Sequence, residues 1–500
     1  MIRRVRTQAA TPARRRFLTL NAALRDQPFG AASARGPQTH PVADPRRPSF
    51  GIFSGVFEVR IGTTGARAKI SLEPSTMTEL AKLSAPERAA LTQELEQRYN
   101  AFKAQGLKLD MTRGKPSSEQ LDLAAKLTVA LSENDYTGSD GSDARNYGGL
   151  DGLPEMKAIF AEMLGAPAAQ VVVGGASSLT MMHDTVVRAL LHGVPGGSAP
   201  WARDKVKFIC PAPGYDRHFA ICEHHGIEMI TVGLNDDGPD LAEVERLVAA
   251  DPAIKGMWCV PKYSNPTGTT YSDGVVKRLA SMKAAAPDFR LFWDNAYAVH
   301  DLYPEGDRLA NVLTACADAG NPDRAIVFAS TSKISFAGAG VAALASSPAN
   351  IADIKRHSSI QTIGPDKLNQ LRHVRFFKDY AGVLQHMKRH AELLRPKFEA
   401  VIDTFERDLA GKGVASWTKP RGGYFISLDT LDGCASDVVR LADGAGVKLT
   451  AAGATFPCGK DPRDRNIRIA PSMPPLAQVK SAMDVVTVCV LLASLRKLGA

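Results

Sequence analysis

The sequence predicts an α/β fold, with a large domain built on a mostly parallel sheet flanked by helices and a smaller α+β domain beside it. Three observations carry this expectation. Between residues 170 and 345 short apolar runs alternate with helical stretches, the pattern of a sheet covered on both faces. Five of the runs end in a polar cluster, and in an open α/β sheet such clusters meet along the carboxyl edge of the strands, where ligands bind. Past about residue 375 the order changes to long helical segments followed by isolated apolar strands.

Taken from the start, the first 76 residues hold 13 Lys/Arg and four Asp/Glu, while the other 424 hold 48 of each. The formal net charge of +9 therefore belongs to the extension alone. Arg3, Arg4, Arg6 and Arg14-Arg15-Arg16 lie among Pro, Ala and Gly without a period of 3.6 or 2, so residues 1–76 read as disordered. An Arg-rich, acid-poor start resembles an organellar transit peptide, or a basic arm for nucleic acid. The reading adopted is a segment without function ahead of a natural start at Met77. The neutral body calls for no nucleic-acid partner.

Residues 77–125 are expected to join the small domain. Ser84 caps a helix there, with Pro86 in its first turn and Glu87 completing a capping box. Residues 126–375 form the large domain. Its strands are Gln170–Gly174, Lys207–Pro211, Glu228–Val232, Gly256–Pro261, Phe289–Trp293 and Ala325–Ser330. Residues 376–500 form the small C-terminal domain, with helices over about 383–411, strands at 422–428, 446–450 and 466–470, and a last helix from about 475. No apolar stretch approaches the roughly 20 residues of a membrane span, so no membrane partner is expected. Seven scattered cysteines without a C-x-x-C suggest reduced thiols and a cytoplasmic location, or an organellar one if residues 1–76 are a transit peptide. His218, Glu223, His224 and His225 lack a second ligand cluster, and no metal site is expected.

The strand-end clusters each admit a chemical and a plain reading. Lys333 follows the run Ala325–Ser330. Held in a partly dry pocket its amine would lose its proton easily and attack carbonyl compounds, and otherwise it is a solvated lysine. Ser177 and Ser178 open a helix, which suits a phosphate or simple capping. Tyr215 either covers a flat cofactor or fills a loop. Asp294 either pairs with a ring nitrogen or caps a helix, with Tyr297 on the same side of the turn. Asn265 either donates to a phenolate oxygen or sits in a turn. Arg468, between Ile467 and Ile469, offers a fork for a carboxylate or lies on a surface strand.

The ordered set Ser-Ser, Pro-Gly-Tyr, Asn-Pro-Thr-Gly, Asp-x-x-Tyr, Ser-x-Ser-Lys and Asn-Ile-Arg resembles the fold-type I, pyridoxal-phosphate-dependent aminotransferases of class I, over about residues 77–500. Thr112–Ser117, Arg145–Leu153, Thr362–Leu371 and Ile469–Pro474 are similar to the aspartate aminotransferase branch often called MocR-like. The resemblance implies that the large domain binds pyridoxal 5'-phosphate. Lys333 would anchor the cofactor and shuttle a proton, and Asp294 would pair with the pyridine nitrogen. Tyr297 and Asn265 would bond the ring oxygen, Tyr215 would stack on the ring, and Ser177, Ser178 and Ser330 would bind the phosphate. Tyr147 would reach that phosphate from a neighbouring subunit, which implies a homodimer. Arg468 would clamp the substrate α-carboxylate, supported by Gly114 and Asn265.

The implied reaction is amino transfer between an L-amino acid, L-aspartate, and a 2-oxo acid, 2-oxoglutarate. The alternatives are a lyase using the same cofactor for β-elimination or decarboxylation, and a transcription regulator on the same domain. The regulator would need a winged-helix module that residues 1–76 do not suggest. One departure stands out: class I enzymes carry an arginine for the phosphate eight residues after the lysine, and this chain has Val341. The residue reading a substrate's side-chain carboxylate is not identifiable; Arg113, Lys115 and Lys367 are the candidates.

Overall fold

A computed structural model describes residues 79–499, so the disorder and targeting expected of residues 1–76 lie outside the described residues. The first helix, Ala85–Ala104, starts where the sequence places it. Ser84 is the N-cap, its N–H donates to Glu87 Oε2 at 2.7 Å, and Pro86 sits in the first turn. Leu91, Leu95, Tyr99 and Phe102, three and four apart, form one apolar face.

The large sheet has eight strands: β1 (Val171–Val173), β2 (Lys207–Ala212), β3 (Glu228–Asn235), β4 (Gly238–Pro239), β5 (Ile254–Cys259), β6 (Arg290–Asp294), β7 (Ala325–Ser330) and β8 (Ala342–Ser346). Their spatial order is β1-β8-β7-β6-β5-β2-β3-β4. Pairing is parallel from β7 through β6, β5 and β2 to β3, while β8 and β4 run against their neighbours. Strand β8 is not foreseen from the sequence. Its Ala-Ala-Leu-Ala-Ser has no β-branched residue, yet it lies fully buried between β1 and β7, where small side chains fill the space that is left.

Alternation along the central strands supplies two cores. Phe208, Trp258, Phe292, Ile326 and Phe328 face one side, and Ile209, Met257, Leu291, Trp293 and Val327 face the other. By the same period-2 rule, Asp294 at the end of β6 shares the face of Phe292 and Trp258. That parity decides which helix it meets.

A second layer holds the antiparallel strands β9 (Ala415–Trp417), β10 (Ile426–Thr430) and β11 (Asn466–Ile469), with Ser427 opposite Arg468. Leu109–Asp110 pairs in parallel with Val447–Lys448. The helices Tyr380–Asp408 and Leu476–Lys497 pack on these strands, and their core gathers Leu95, Phe398, Ile426, Ile467 and Val486.

The helix Leu476–Lys497 corrects one expectation. By length and apolarity it would suffice to cross a membrane, with a mean hydropathy of 1.7 over 18 residues. It is apolar on all sides because the helices Ala85–Ala104 and Tyr380–Asp408 both cover it, and 67% of that window is buried within the fold. Phe398, fully buried in this core, tests the layer: Phe398→Ala should lower stability by about 3–5 kcal/mol, read as a shift in the urea midpoint. A shift below about 1 kcal/mol would show that the ring is not enclosed.

Candidate active site

Five strands deliver their following loops to one edge. Strand β7 ends at Ser330 and is followed by Thr331, Ser332 and Lys333, while Asp294 closes β6 beside it, with Asp294 in register with Phe328. The Lys333 amine lies 5.1 Å from the centre of the Tyr297 ring. The residue is half-buried, and desolvation lowers its pKa from the ordinary lysine value, against the pull of the Asp294 charge in the other direction. A lysine so placed presents a free amine at lower pH than one in water.

Asp294 is 3% exposed. Its Oδ2 accepts from His218 Nε2 at 3.1 Å, while Oδ1 is buried without any partner. An acceptor left unmade in this way costs about 1–3 kcal/mol, so the site is built for a donor that arrives from outside. The sequence reading missed His218 as the partner of Asp294 and weighed it only as a metal ligand. Its ring lies flat on Trp258, 4.4 Å away and 10° from parallel, and meets Tyr215 edge-on at 4.9 Å. Of the other histidines weighed as ligands, His224 and His225 lie at the far end of the same helix, where they meet His183 of the helix Ser178–His192.

Tyr215 reaches its place through Gly214, where a Cβ would stand 2.4 Å from Pro211 O and whose N–H donates to Thr455 O at 2.7 Å. The phenol of Tyr297 is buried, which raises its pKa well above the ordinary value with help from Tyr215 and Asp294, so it keeps its proton. Asn265 is buried on the loop after β5, with its Oδ1 3.4 Å from Arg468 Nη1.

The opening of the helix Ser178–His192 faces Ser330 and Ser332. Ser177 is its N-cap, yet its hydroxyl makes no capping bond, and Ser178 is the first helical residue. Ser330 Oγ donates to Ser332 Oγ at 3.0 Å, and Ser332 Oγ donates to Ala176 O at 3.1 Å. Hydroxyls and helix N–H groups thus form a cradle suited to an anion. Ser332 belongs to it and was not singled out from the sequence. Val341, at the position of the missing arginine, is 2% exposed; its N–H donates to Thr331 Oγ1 at 2.9 Å, and its carbonyl accepts from Thr331 N at 2.8 Å.

Arg468 comes from the second layer. Its guanidinium lies 5.0 Å from the Phe425 ring, its Nη1 donates to Asp216 Oδ1 at 3.0 Å, and its Nε is buried without a partner. Gly114 backs the same ring: a Cβ there would meet Phe425 at 2.0 Å, so only glycine lets this backbone approach. Tyr147 is not brought to the cluster. It is 83% exposed and lines a separate cavity of about 660 Å³ with residues 362–368. Lys367 donates two of its three ammonium N–H groups to Asn146 O at 2.7 Å and Gly148 O at 2.6 Å. Arg113 and Lys115 are exposed.

Behind Lys333 runs a buried polar chain, also unforeseen. Tyr424 Oη donates to Lys333 O at 3.3 Å and accepts from Gln120 Nε2 at 3.0 Å. The same amide nitrogen is 3.0 Å from His390, which is 3.0 Å from His386, itself 2.9 Å from Ile334 O. The carbonyls of Lys333 and Ile334 are therefore both tethered. Burial, then the neighbouring His386, pushes His390 down to about 3, so the ring is neutral in the fold.

An aspartate amino-transferase family model matches residues 83–500. A Mycolicibacterium smegmatis relative is 55% identical over 405 residues, covering 80% of this chain and 95% of that protein. An aspartate aminotransferase of Corynebacterium glutamicum is 49% identical over 403 residues, covering 80% and 93%. The crystal structure of an aspartate transaminase from the same species superposes with a TM-score of 0.83 at 47% identity, covering 85% of this chain and all of that one. A Thermus thermophilus α-aminoadipate aminotransferase, complexed with N-(5'-phosphopyridoxyl)-L-leucine, gives a TM-score of 0.63 at 20% identity over 81% of this chain and 98% of that one, a likeness of fold alone.

Protonating His390 must undo its burial. Between its ordinary 6.5 and about 3 the unfolded chain binds the proton and the fold does not, so stability falls as pH falls through that window. His390→Gln should flatten the dependence by about 1.4 kcal/mol per pH unit, measured as Tm against pH from 6.5 to 4. An unchanged slope would put the ring in contact with water.

Proposed function

The chain belongs to the aspartate aminotransferase family, and from that premise we propose that it moves an amino group between L-aspartate and 2-oxoglutarate with pyridoxal phosphate held at Lys333. That it is an aminotransferase follows from the family and its relatives. The choice of L-aspartate is supported by the aspartate aminotransferase relatives, and the observation that carries the cofactor reading is Asp294 Oδ1, a buried carboxylate oxygen without a donor, near the Lys333 amine. A protonated pyridine nitrogen is the donor that oxygen lacks, and the free hydroxyl of Ser177 beside Ser330 and Ser332 is the anion cradle the phosphate needs.

When bound, the cofactor supplies the electron sink for the carbanion formed on the substrate Cα. The remaining work falls to side chains. Lys333 Nζ, whose pKa desolvation lowers, would take the proton from the substrate Cα and deliver it to the carbon across the C–N bond, so that the amino group changes owner. His218 holds Asp294 in place through Oδ2, so Oδ1 keeps its direction. Arg468 takes the α-carboxylate, and its stack on Phe425 over Gly114 fixes the plane of the guanidinium. Tyr297 lies beneath the amine and Tyr424 holds the Lys333 carbonyl, which fixes where the amine stands.

A second copy of the chain completes the proposal. Tyr147, Ile360 and Ile363 are exposed, at 83%, 88% and 64%, and Tyr147 and Ile363 share the rim of one cavity. An apolar patch of that kind suits a homodimer in which Tyr147 serves the neighbouring site. The neutral charge balance of the body and the seven unpaired cysteines support a cytoplasmic setting.

Purified protein given L-aspartate and 2-oxoglutarate should yield oxaloacetate and glutamate; pyruvate and ammonia from a β-substituted amino acid would point to the lyase instead. Lys333→Ala should abolish turnover and the borohydride-trapped cofactor adduct, and an adduct surviving at another lysine would overturn the assignment. Arg468→Ala should lower kcat/KM for both substrates by about 10²–10³, or ~3–4 kcal/mol. An unchanged value would remove Arg468 from the site.

A further inference from the structure

We infer that Asp216 is an internal stand-in for the substrate α-carboxylate, occupying Arg468 until an incoming carboxylate displaces it. The inference rests on the proposed reading of Arg468 as the carboxylate clamp and goes beyond it, by assigning a competitor to that clamp.

The position of the contact carries the argument. Asp216 Oδ1 lies 3.0 Å from Arg468 Nη1, and the same nitrogen lies 3.4 Å from Asn265 Oδ1. Asp216 thus bonds the guanidinium on the side that faces Asn265, which is where the site would receive a substrate carboxylate. The pair is unequal in its freedom. Arg468 is nearly buried, whereas the Asp216 side chain is 39% exposed, so only Asp216 can return to water at small cost.

It also has somewhere to go. Asp216 is the first residue of the helix Asp216–His224, and a carboxylate released there stays beside the helix N-terminus, where its charge is favoured. Arg468 in turn is incompletely served. Asp216 meets it through one Nη1 contact and Nε has no partner, while a free carboxylate can engage two N–H groups at once.

Amino transfer exchanges one carboxylate for another in each half of the reaction. A built-in competitor lowers the affinity of every substrate and product by a similar factor and hastens the exit of product. It also spans the two layers, joining the start of the helix Asp216–His224 to β11, so it holds Arg468 in place before a ligand enters. In this role Asp216 is a positioning residue; it contacts no reacting atom.

The test uses the cofactor-loaded enzyme and succinate, a dicarboxylate with no amino or oxo group. Calorimetric titration of Asp216→Asn should show the Kd for succinate falling by about fivefold, with KM for aspartate and for 2-oxoglutarate falling alike and kcat not rising. Asp216→Glu should restore native affinity, and Asp216→Ser serves in place of Asn if that variant folds poorly. In an Arg468→Ala background, Asp216→Asn should change nothing further. A Kd that is unchanged or higher in Asp216→Asn at native Tm overturns the inference. If Arg468→Ala itself leaves succinate binding intact, the reading of Arg468 falls, independently of what Asp216 does.

Discussion

A carboxylate and an amine share one water-poor enclosure, and most of the surrounding structure serves to keep them both usable. Burying Asp294 at 3% exposure carries a desolvation cost that must be offset locally. His218 offsets half of it through Oδ2, and Trp258 keeps that imidazole flat and in place. The other oxygen is left for a ligand. Lys333 is governed by the opposite balance: burial drives it toward the neutral amine, and Asp294 limits how far. Its backbone is held in place, because Tyr424 bonds the Lys333 carbonyl and His386 lies 2.9 Å from that of Ile334.

The sheet makes that pairing possible by parity and direction. β6 and β7 are parallel neighbours in register, so Asp294 and the turn leading to Lys333 emerge at the same height. Alternation turns Asp294 toward the face of Phe292 and Trp258, and the helix Asp216–His224 brings His218 to that face. Strand β8 then returns antiparallel to β7, which places Gly340 and Val341 under Ser332 and Thr331 and closes the loop on itself.

Much of this was legible because strand ends constrain residue type. A site lysine, a carboxylate beside it and a helix opening with serines each demand particular side chains, and their order along the chain exposes them. What stayed hidden depends on distant neighbours. His218 and Asp294 are 76 residues apart, and nothing local to either announces the other. Gln120, His390 and Tyr424 form one buried chain only because three separate segments meet behind Lys333. Strand β8 escaped because its alanines satisfy packing and not propensity, and the apolarity of Leu476–Lys497 reflects two covering helices that no window of sequence can reveal. The Lys367 ammonium meets the Asn146 and Gly148 carbonyls, more than 200 residues earlier in the chain, which no local pattern announces.

The absence of an arginine at Val341 is explained by the same closure. Thr331 bonds both the N–H and the carbonyl of Val341, and its hydroxyl is 3.2 Å from His373, whose pKa burial pushes down to about 4. Val341 belongs to the apolar core at 2% exposure, so a guanidinium there would enter it beside a neutral imidazole, at the cost of a buried charge. An anion there would meet neutral donors: the Ser177 hydroxyl and the N–H groups that open the helix Ser178–His192, with the Ser330 and Ser332 hydroxyls joining by turning from Ser332 Oγ and Ala176 O. Such donors are directional and act at short range. They favour an anion by fit more than by long-range attraction, which is consistent with a body whose basic and acidic residues cancel.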